Sequence, residues 1–292
     1  MTTIGLLHPG EMGAGLGGAL ADRGHTVLWL PEGRSRATAE RAAGAGLTST
    51  GSLSDLLGRA EVVLSVCPPQ AAPAVAASVA SDGFGGLVVD ANAIAPRTVR
   101  TVAATVTAAG ATFVDGGIIG LAPQPGSAGG PRLYLSGEPG SPAAAQVAAL
   151  FDGTAVTACL VDGGVGAASA VKMAYAAWTK GSAALLLAAR ALARTERVEG
   201  TLLAEWGASQ PQLAARTENA ARSAAAKGWR WDPEMTEIAA AMADAGLPDG
   251  FHQAAAEVFR CAPRADPAGL AETAPGDVVE LVLEALAGEH LD

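Results

Sequence analysis

The sequence predicts an α/β fold in which a doubly wound sheet is followed by an all-α domain. In the first half, short apolar runs alternate with alanine-rich helical stretches, and such strand–helix alternation implies right-handed crossovers around the sheet. After Val161 the strand patterns stop, and helical stretches continue towards the C-terminus. The 292 residues correspond to about two domains at roughly 150 residues per domain. We therefore expect a sheet domain over 1–162 and an all-helical domain over 163–292.

The strands are predicted from continuous apolar runs that are bounded by turn residues. Runs of this kind are typical of strands buried on both faces of a parallel sheet. The predicted strands cover 4–7, 26–30, 62–66, 87–89, 113–119, 133–135 and 155–161. The segment 122–131 is rich in proline and glycine, and we expect it to form a mobile loop.

Helix start signals lie between several of these runs. Two helices are predicted over 11–23 and 34–43. Further starts are indicated by the capping box Ser52-Leu53-Ser54-Asp55, by Pro96 and by the pair Ser141-Pro142. A serine cap and a proline in the first turn both favour a helix beginning at that point.

The overall composition excludes two classes of protein. The net charge is -10 and the pI is about 4.9, without a basic cluster, so nucleic-acid binding is not expected. Apolar residues make up 50% of the chain, which is too many for a disordered protein. Charged residues make up only 16%, against about 25% in an ordinary soluble domain. The surface is therefore poor in charge, and this deficit needs an explanation.

Cysteine usage and hydropathy indicate the cellular setting. Cys67, Cys159 and Cys261 are far apart and odd in number, so they suit neither a metal site nor a disulfide framework. We expect a reducing, cytoplasmic environment and no metal. The first residues lack a basic region, which argues against a secretory signal. The stretch 171–192 contains three basic residues, which favours a buried helix over a membrane span.

A glycine-rich turn follows the first predicted strand and reads His8-Pro9-Gly10-Glu11-Met12-Gly13. In the dinucleotide-binding pattern G-x-G-x-x-G, His8 takes the first glycine place, and Gly10 and Gly13 take the second and third. Glycines there let the backbone approach a pyrophosphate, which the free N–H groups of a helix N-terminus bind. The turn predicts a Rossmann-type dinucleotide-binding domain. The alternative is a tight turn whose small residues only pack the helix on the sheet.

The end of the second predicted strand bears on the choice between NAD and NADP. An acid at that end holds the ribose 2′-hydroxyl of NAD, whereas an arginine accommodates the 2′-phosphate of NADP. Leu30 and Pro31 stand at the acid position, and Arg34 and Ser35 follow. We expect NADP as the cofactor, with Arg34 and Ser35 facing its phosphate. Glu32 leaves NAD possible, and a solvated helix start is the structural alternative.

A helix predicted over about 164–192 is apolar nearly all round, so other parts of the protein must cover it. Its first charged residues are Lys172 and Lys180. At about 100° per residue, Tyr175, Thr179 and Lys180 lie on the same side of the helix as Lys172. Such a polar stripe indicates a wet cleft, in which a lysine can donate a proton to a substrate oxygen. The alternative is a lysine that reaches solvent from a packed helix.

Four segments in order carry a family resemblance. Residues 4–13 are similar to a cofactor turn G-L-G-x-M-G, and Asp90-Ala91-Asn92-Ala93-Ile94-Ala95-Pro96 is similar to D-x-S-T-x-x-P. Asp115-Gly116-Gly117-Ile118-Ile119-Gly120 is similar to D-x-P-V-S-G-G, and Gly166-Ala167-Ala168-Ser169-Ala170-Val171-Lys172 is similar to G-x-G-x-x-x-K. The chain thus resembles the β-hydroxyacid dehydrogenases, the superfamily of 6-phosphogluconate and 3-hydroxyisobutyrate dehydrogenases, to which imine reductases are related. Its C-terminal half resembles a divergent branch with a phosphogluconate-dehydrogenase-like C-terminal domain.

The resemblance implies NAD(P)-dependent hydride transfer between a small carbonyl compound and its alcohol. It implies that Lys172 is the general acid in reduction and the general base in oxidation. Arg34 and Ser35 would meet the adenosine end of the cofactor, Cys67 and Pro68 would lie along it, and Asn92 would lie near the nicotinamide ribose. The expected substrate contacts are Asn92, Ile118, Ile119, Gly120, Lys172, Tyr175 and Thr179.

Two departures from the family pattern concern the substrate. Ile119 takes the place of a serine that helps to hold a carboxylate, which argues against a carboxylate substrate. The family's asparagine after the lysine is missing, and Tyr175 supplies a hydroxyl on the same helix face. We therefore expect Tyr175 as a second catalytic residue.

Three functions remain open at this point. The first is an NADP-dependent dehydrogenase or reductase that acts on a hydroxy acid, aldehyde or ketone. The second is an imine reductase, which the apolar pair Ile118-Ile119 favours and Lys172 disfavours, since those relatives usually carry another residue there. The third is a dinucleotide-binding protein without catalysis, for which the missing glycine, serine and asparagine leave room.

The low charge of the chain favours self-association. The relatives wrap the long helix with a second subunit in an interlocked dimer, and an obligate interface of that kind is large and apolar. We therefore expect a homodimer that binds a small-molecule substrate, with neither nucleic acid nor membrane as a partner.

Overall fold

The computed structural model describes residues 1–123 and 129–288. The chain forms two compact units, Met1–Met173 and Ala174–Asp292. The first unit is built on a sheet, and the described part of the second consists of helices. The predicted α/β class with a helical C-terminal region is confirmed. The first unit extends beyond residue 162 into the next helix, and the domain boundary at 162/163 stays a prediction.

The described residues of the first unit form eight strands. They are β1 (Thr3–Leu7), β2 (Thr26–Trp29), β3 (Thr48–Ser49), β4 (Val62–Ser65), β5 (Leu87–Asp90), β6 (Thr112–Ile119), β7 (Arg132–Gly137) and β8 (Thr157–Leu160). They form one sheet in the order β3-β2-β1-β4-β5-β6-β7-β8. The seven predicted strands are present within two residues at each end. The two-residue strand β3 was missed because it is too short for a periodic pattern.

One pair of neighbouring strands differs from the expected topology. The pairs are parallel except for β6 and β7, which are antiparallel. The segment between these two strands has no helical pattern, and antiparallel strands need no helical crossover. The predicted mobile loop over 122–131 lies partly outside the described residues, because 124–128 are not among them.

The helices of the first unit begin near the predicted start signals, apart from the helix that begins at Ala72, which was not predicted. They are α1 (Glu11–Asp22), α2 (Arg36–Gly44), α3 (Leu53–Arg59), α4 (Ala72–Ser81), α5 (Pro96–Ala108), α6 (Ala143–Leu150) and the beginning of α7 (Ala167–Thr195). Ser52 Oγ accepts a hydrogen bond from the Asp55 N–H at 3.0 Å, which caps α3. Helix α5 begins at Pro96.

Helix α7 begins at Ala167 rather than near residue 164. Gly163, Gly164 and Gly166 have φ angles of 119°, 80° and 100°. These left-handed and extended conformations interrupt a right-handed helix, and glycine adopts them without the clash that a Cβ would cause. The glycines therefore fix the residue at which α7 begins, and Lys172 is the sixth residue of the helix.

Apolar side chains cover both faces of the sheet. Leu64 and Val89 belong to one buried cluster, and their chain neighbours Val63 and Val88 belong to the other. Successive residues of a strand point to opposite faces, which is why the predicted strands read as continuous apolar runs. The carboxyl ends of β1, β4 and β5 lie at one edge of the sheet. Parallel α/β sheets bind their ligands at that edge.

Up to residue 288, the second unit consists of the rest of α7 and five further helices. They are α8 (Glu199–Ser209), α9 (Leu213–Asp244), α10 (Gly250–Cys261), α11 (Pro267–Glu272) and α12 (Pro275–Gly288). Helix α9 packs against α8, α10, α11 and α12. Trp231 on α9 meets Phe259 on α10 edge to face, with ring centroids 4.9 Å apart. Among the helices of the described residues, none has the length and apolar character that crossing a membrane requires.

Candidate cofactor and active site

The turn after β1 keeps the backbone of a glycine-rich turn although its first residue is a histidine. His8 has a φ of 69°, in the left-handed region that few residues other than glycine adopt. Its carbonyl oxygen accepts a hydrogen bond from the Gly10 N–H at 2.8 Å. A Cβ on Gly13 would lie 2.5 Å from the same oxygen, so only glycine fits at position 13. The departure at position 8 changes the side chain and not the course of the backbone.

The surroundings of Gly10, at the start of α1, leave room for a bound dinucleotide. Gly10 is the N-cap of α1, and no side-chain capping bond is made there. The amide groups of the first turn of a helix have no acceptor within the helix itself. No described atom lies within 4 Å of a Cβ built on Gly10. No contact with the described protein atoms requires glycine at position 10. The close approach of a pyrophosphate would require it. Pro9 is buried beside it, Glu11 opens the helix, and Met12 packs against the core.

A cavity of about 190 Å³ lies at the ends of β1 and β2, beside α3 and α4. Its lining residues are Leu6, Leu7, His8, Leu30, Arg34, Leu53, Val75 and Ser78. Burial, and secondarily the positive charge of Arg34, lower the pKa of His8 to about 4. Ser35 caps α2, and its Oγ accepts from the Thr38 N–H at 3.3 Å. Arg34 therefore lines the cavity as expected for a cofactor-binding residue, while Ser35 already holds the start of a helix.

The side chain of Asn92 links the ends of β4 and β5 through hydrogen bonds. Its Oδ1 accepts from the Cys67 N–H at 2.5 Å, and its Nδ2 donates to Ser65 Oγ at 3.1 Å and to Asp90 Oδ2 at 2.9 Å. The side chain is buried, so its amide is engaged in holding two loops at the sheet edge. Pro68, which follows Cys67, is exposed. The predicted contacts of Asn92, Cys67 and Pro68 with ligands stay predictions.

Burial shifts the pKa values of the acidic and thiol groups in this network. Burial raises the pKa of Asp90 to about 7, although hydrogen bonds from Asn92 oppose the shift. Burial also raises the pKa of the Cys67 thiol to about 11. Cys67 is therefore a protonated thiol at neutral pH, which suits a packing role rather than a nucleophile.

Asp115 fixes the beginning of α7. Its Oδ2 accepts from the Gly166 and Ser169 N–H groups, both at 3.0 Å, and from Ser136 Oγ at 3.1 Å. Its Oδ1 accepts from Ser169 Oγ at 2.6 Å. Burial raises the pKa of this carboxyl, and the four donors oppose that shift. The sequence marks Asp115 only as a residue of a motif, and Ser136 was not predicted. An acid inside an apolar strand is the signal that points to such a network, since buried acids need donors.

Two glycines bring β6 close to its neighbours. A Cβ on Gly116 would lie 3.1 Å from Ala91 Cβ, and a Cβ on Gly117 would lie 2.6 Å from the Ala168 carbonyl oxygen. The latter atom would also lie 3.1 Å from Lys172 Cβ. The two segments that suggested a family relationship, around Gly117 and around Lys172, are thus in direct contact. Lys172 is half-buried at this contact.

The predicted substrate segment after Gly117 is largely enclosed. Ile118 and Ile119 are 8% and 3% exposed, and Ile118 belongs to the core of the sheet domain. Gly120 has a φ of 124°, and a Cβ there would lie 3.0 Å from Pro131 Cα. These residues shape the end of β6, and their contact with a substrate stays a prediction.

Two predicted site residues lie on the continuation of α7 in the second unit. Tyr175 is 47% exposed, and Thr179 Oγ1 donates to the Tyr175 carbonyl oxygen at 3.0 Å. Lys180, which was predicted to flank the same stripe, forms an ion pair with buried Glu234 and lies 5.4 Å from the Trp231 ring centroid. This partner of Lys180 was not predicted from the sequence. The roles of Tyr175 and Thr179 towards a ligand stay predictions.

The sheet, the glycine turn and the cavity beside Arg34 define the first unit as a dinucleotide-binding domain of the Rossmann type. Residues 2–177 match the NAD-binding domain of 6-phosphogluconate dehydrogenase, and residues 193–261 match a domain of unknown function, DUF1932. The first match covers more than half of the chain, which belongs to the family of the 6-phosphogluconate dehydrogenase NAD-binding domain. The predicted relationship to the β-hydroxyacid dehydrogenase superfamily is confirmed.

Solved structures share this fold over nearly the whole chain. A conserved hypothetical protein from Sinorhizobium meliloti 1021 is 25% identical, with a TM-score of 0.68 over 98% of this chain and 97% of the other. The 3-hydroxyisobutyrate dehydrogenase of Mycobacterium tuberculosis with L-serine is 18% identical, with a TM-score of 0.69 over 96% and 98%. A reductive aminase from Aspergillus terreus in complex with NADPH and ethyl-5-oxohexanoate is 19% identical, with a TM-score of 0.57 over 93% and 99%. No curated protein matches the sequence.

Proposed function

We propose that the protein is an NADP(H)-dependent oxidoreductase that interconverts a small carbonyl compound and its alcohol, with Lys172 as the proton donor and acceptor. The observation that carries the proposal is the contact of Lys172 with Gly117 of β6, within the same unit as the glycine turn. A lysine held against the strand that ends at the ligand-binding edge of the sheet is in a position to act on a substrate. The non-catalytic alternative gives no reason for the lysine to be held there.

The residues of the first unit suit the two ends of the cofactor differently. The amides around Gly10 would hold the pyrophosphate, and the cavity beside Arg34 would take the adenosine end. When bound, the nicotinamide supplies the hydride chemistry, and the protein supplies orientation and the proton. The Lys172 Nζ would give its proton to the substrate oxygen in reduction and take it back in oxidation.

The substrate class follows from the residues at the end of β6. The segment from Gly116 to Gly120 contains two isoleucines and no side-chain hydrogen-bond donor. We infer that the substrate is not held by a carboxylate at this segment, which favours an aldehyde or ketone over a hydroxy acid. The same observation keeps imine reduction as the second candidate, because a C=N substrate also needs no carboxylate contact.

A substrate panel tests the proposed function. NADPH oxidation would be followed with aldehydes, ketones and cyclic imines, and NADP reduction with the corresponding alcohols and hydroxy acids. Turnover of carbonyl compounds but not of imines supports the proposal, and the reverse result supports the second candidate. Binding of NADPH without turnover on any member of a broad panel would favour the non-catalytic alternative.

Arg34→Ala is expected to weaken NADPH binding by about ten- to a hundredfold, because a charge-assisted contact with a phosphate contributes about 1.5–3 kcal/mol. Its effect on NADH should stay within about threefold, since NADH lacks the 2′-phosphate. Fluorescence titration of both cofactors measures the two effects. Arg36→Ala is the matched control, because Arg36 follows two residues later at the start of α2, is exposed and pairs with Glu40. Equal losses for NADPH and NADH in Arg34→Ala would contradict the assignment of NADP.

We also propose that two copies of the chain associate through the second unit. A groove of about 260 Å³ lies between α7 and α10. Trp178, Leu185 and Phe251 line it and are 69%, 61% and 74% exposed. Clustered apolar side chains of this kind mark an interaction surface. A second copy would cover them and would account for a chain with only 16% charged residues.

Leu185→Glu is expected to convert the dimer into a monomer, because a charge placed in an apolar interface is buried without a partner. We expect the dissociation constant of the dimer to rise by at least about a hundredfold, which corresponds to about 2.7 kcal/mol. Sedimentation velocity measures the change. Leu160→Glu is the control, since Leu160 is an equally exposed leucine on β8 of the first unit. A stable and active wild-type monomer would contradict the proposed dimer.

A further inference from the structure

His8 combines an unfavourable backbone with a buried, uncommitted ring nitrogen. Its φ of 69° costs a residue with a Cβ about 1 kcal/mol relative to glycine. Its Nδ1 is buried and has no hydrogen-bond partner among the described residues. Strained residues with unsatisfied polar groups concentrate at functional sites, where a ligand interaction offsets the cost.

The surroundings of His8 indicate which part of a dinucleotide it would meet. His8 lines the cavity that also contains Leu30 and Arg34, and its ring lies near enough to Arg34 for that charge to lower its pKa. Residues of the α1 N-terminus, where a pyrophosphate would bind, do not line this cavity. We therefore assign the His8 backbone to the pyrophosphate turn and its side chain to the adenosine side of the site.

The chemistry of the cavity suits a phosphate better than a ribose diol. Leu30 stands where NAD-binding domains place the acid that accepts from ribose hydroxyls. Arg34 supplies a positive charge, and its proximity contributes to keeping His8 neutral. A neutral imidazole has one N–H donor. In the complex this donor would turn to the phosphate from the Leu7 backbone, with which the ring also forms a hydrogen bond, and would add a directional bond to the charge of the guanidinium.

We propose that His8 is a specificity-determining residue, whose imidazole recognises, together with Arg34, the phosphate on the adenosine ribose of NADP(H). This assignment rests on the proposed function, because it presupposes that the chain binds a nicotinamide dinucleotide. It differs from the general role of the glycine turn, which holds the pyrophosphate common to NAD and NADP.

The test compares His8→Gly and His8→Asn with the wild type. Glycine adopts the backbone of position 8 without strain and removes the ring, whereas asparagine tolerates the same backbone and keeps a side-chain N–H donor. Both variants are therefore expected to fold, which thermal melts would verify. Dissociation constants would be measured by fluorescence or calorimetry for NADPH and NADH, and for the fragments 2′,5′-ADP and 5′-AMP.

His8→Gly is expected to weaken the binding of NADPH and of 2′,5′-ADP by about tenfold or more, because a hydrogen bond to a charged group is lost. The dissociation constants of NADH and 5′-AMP should change by less than about twofold. His8→Asn should recover part of the preference for NADPH over NADH. Equal losses for both cofactors would place His8 on the shared part of the dinucleotide and overturn the assignment. Unchanged or tighter NADPH binding in His8→Gly would overturn it as well.

Failure of the proposed function gives a separate result. If the wild type binds neither cofactor nor fragment, the proposed function fails and the assignment of His8 falls with it. If the wild type binds NADPH and the His8 variants keep its preference over NADH, only the assignment of His8 fails.

Discussion

Replacing Lys172 with methionine is expected to lower kcat for carbonyl reduction by about 10²–10⁴-fold, which is the usual contribution of a positioned proton donor. The affinity for NADPH should stay within about twofold, because the residues expected to hold the cofactor lie in the turn from β1 into α1, just before α2, and just after β4 and β5, rather than on α7. Methionine keeps the length and apolar stem of the side chain, so the contact at Gly117 is retained. Steady-state kinetics and cofactor titration on the same preparation separate the two effects.

A second substitution distinguishes proton transfer from a purely electrostatic role. Lys172→Arg keeps the positive charge, but a guanidinium does not release a proton near neutral pH. If Lys172 donates the proton, the arginine variant should be nearly as inactive as the methionine variant. Lys227→Met, a lysine on α9 in the second unit, serves as a control and should keep near wild-type kcat. Full turnover in Lys172→Met would contradict the proposed role.

The features that depend on consecutive residues could be predicted from the sequence. The strand, turn and helix around Gly10 are adjacent in the chain, so their pattern alone indicates a dinucleotide turn. The apolar runs of β4 and β5 predicted strands because both sheet faces are covered. The long apolar helix α7 was equally evident, and only its first turn was misplaced, because three glycines delay its start.

The features that depend on distant residues could not be predicted. Asp115 meets donors 51 and 54 residues further along the chain, and Lys180 meets Glu234 after 54 residues. No local pattern encodes such pairs. The antiparallel direction of β7 was missed for a related reason, since a short buried apolar run looks the same in either direction. The left-handed backbone of His8 was not predicted, because a glycine usually indicates such a conformation and a histidine stands at this position.

The contact between Lys172 and β6 depends on how α7 begins, and Asp115 determines that beginning. The carboxylate of Asp115 is the shared acceptor for two backbone amides of the α7 start and for two serine hydroxyls. Amides at a helix start have no partner within the helix, so a buried start needs an external acceptor. Asp115 supplies this acceptor from the middle of β6 and thereby joins the strand to the helix that carries Lys172.

Asp115→Ala is accordingly expected to lower the free energy of unfolding by about 3–5 kcal/mol, because it leaves several buried donors without an acceptor at once. Urea unfolding followed by circular dichroism measures the loss. Ser136→Ala removes one of the four donors and also the acceptor of the Ala168 N–H, which lies 3.0 Å from Ser136 Oγ, so it should cost about 1–3 kcal/mol. Asp152→Ala is the control, since Asp152 is an exposed acid of the same unit and should change stability by less than about 0.5 kcal/mol.

The same variant should lose activity through its effect on α7. Where Asp115→Ala remains folded, we expect kcat to fall while NADPH affinity is largely kept, because the start of α7 loses its anchor and Lys172 loses its fixed position against Gly117. Hydrogen exchange at the amides of Gly166 and Ser169 provides a direct readout, and both should exchange faster than in the wild type. Unchanged exchange at these amides, together with wild-type stability, would show that Asp115 does not hold the helix in place.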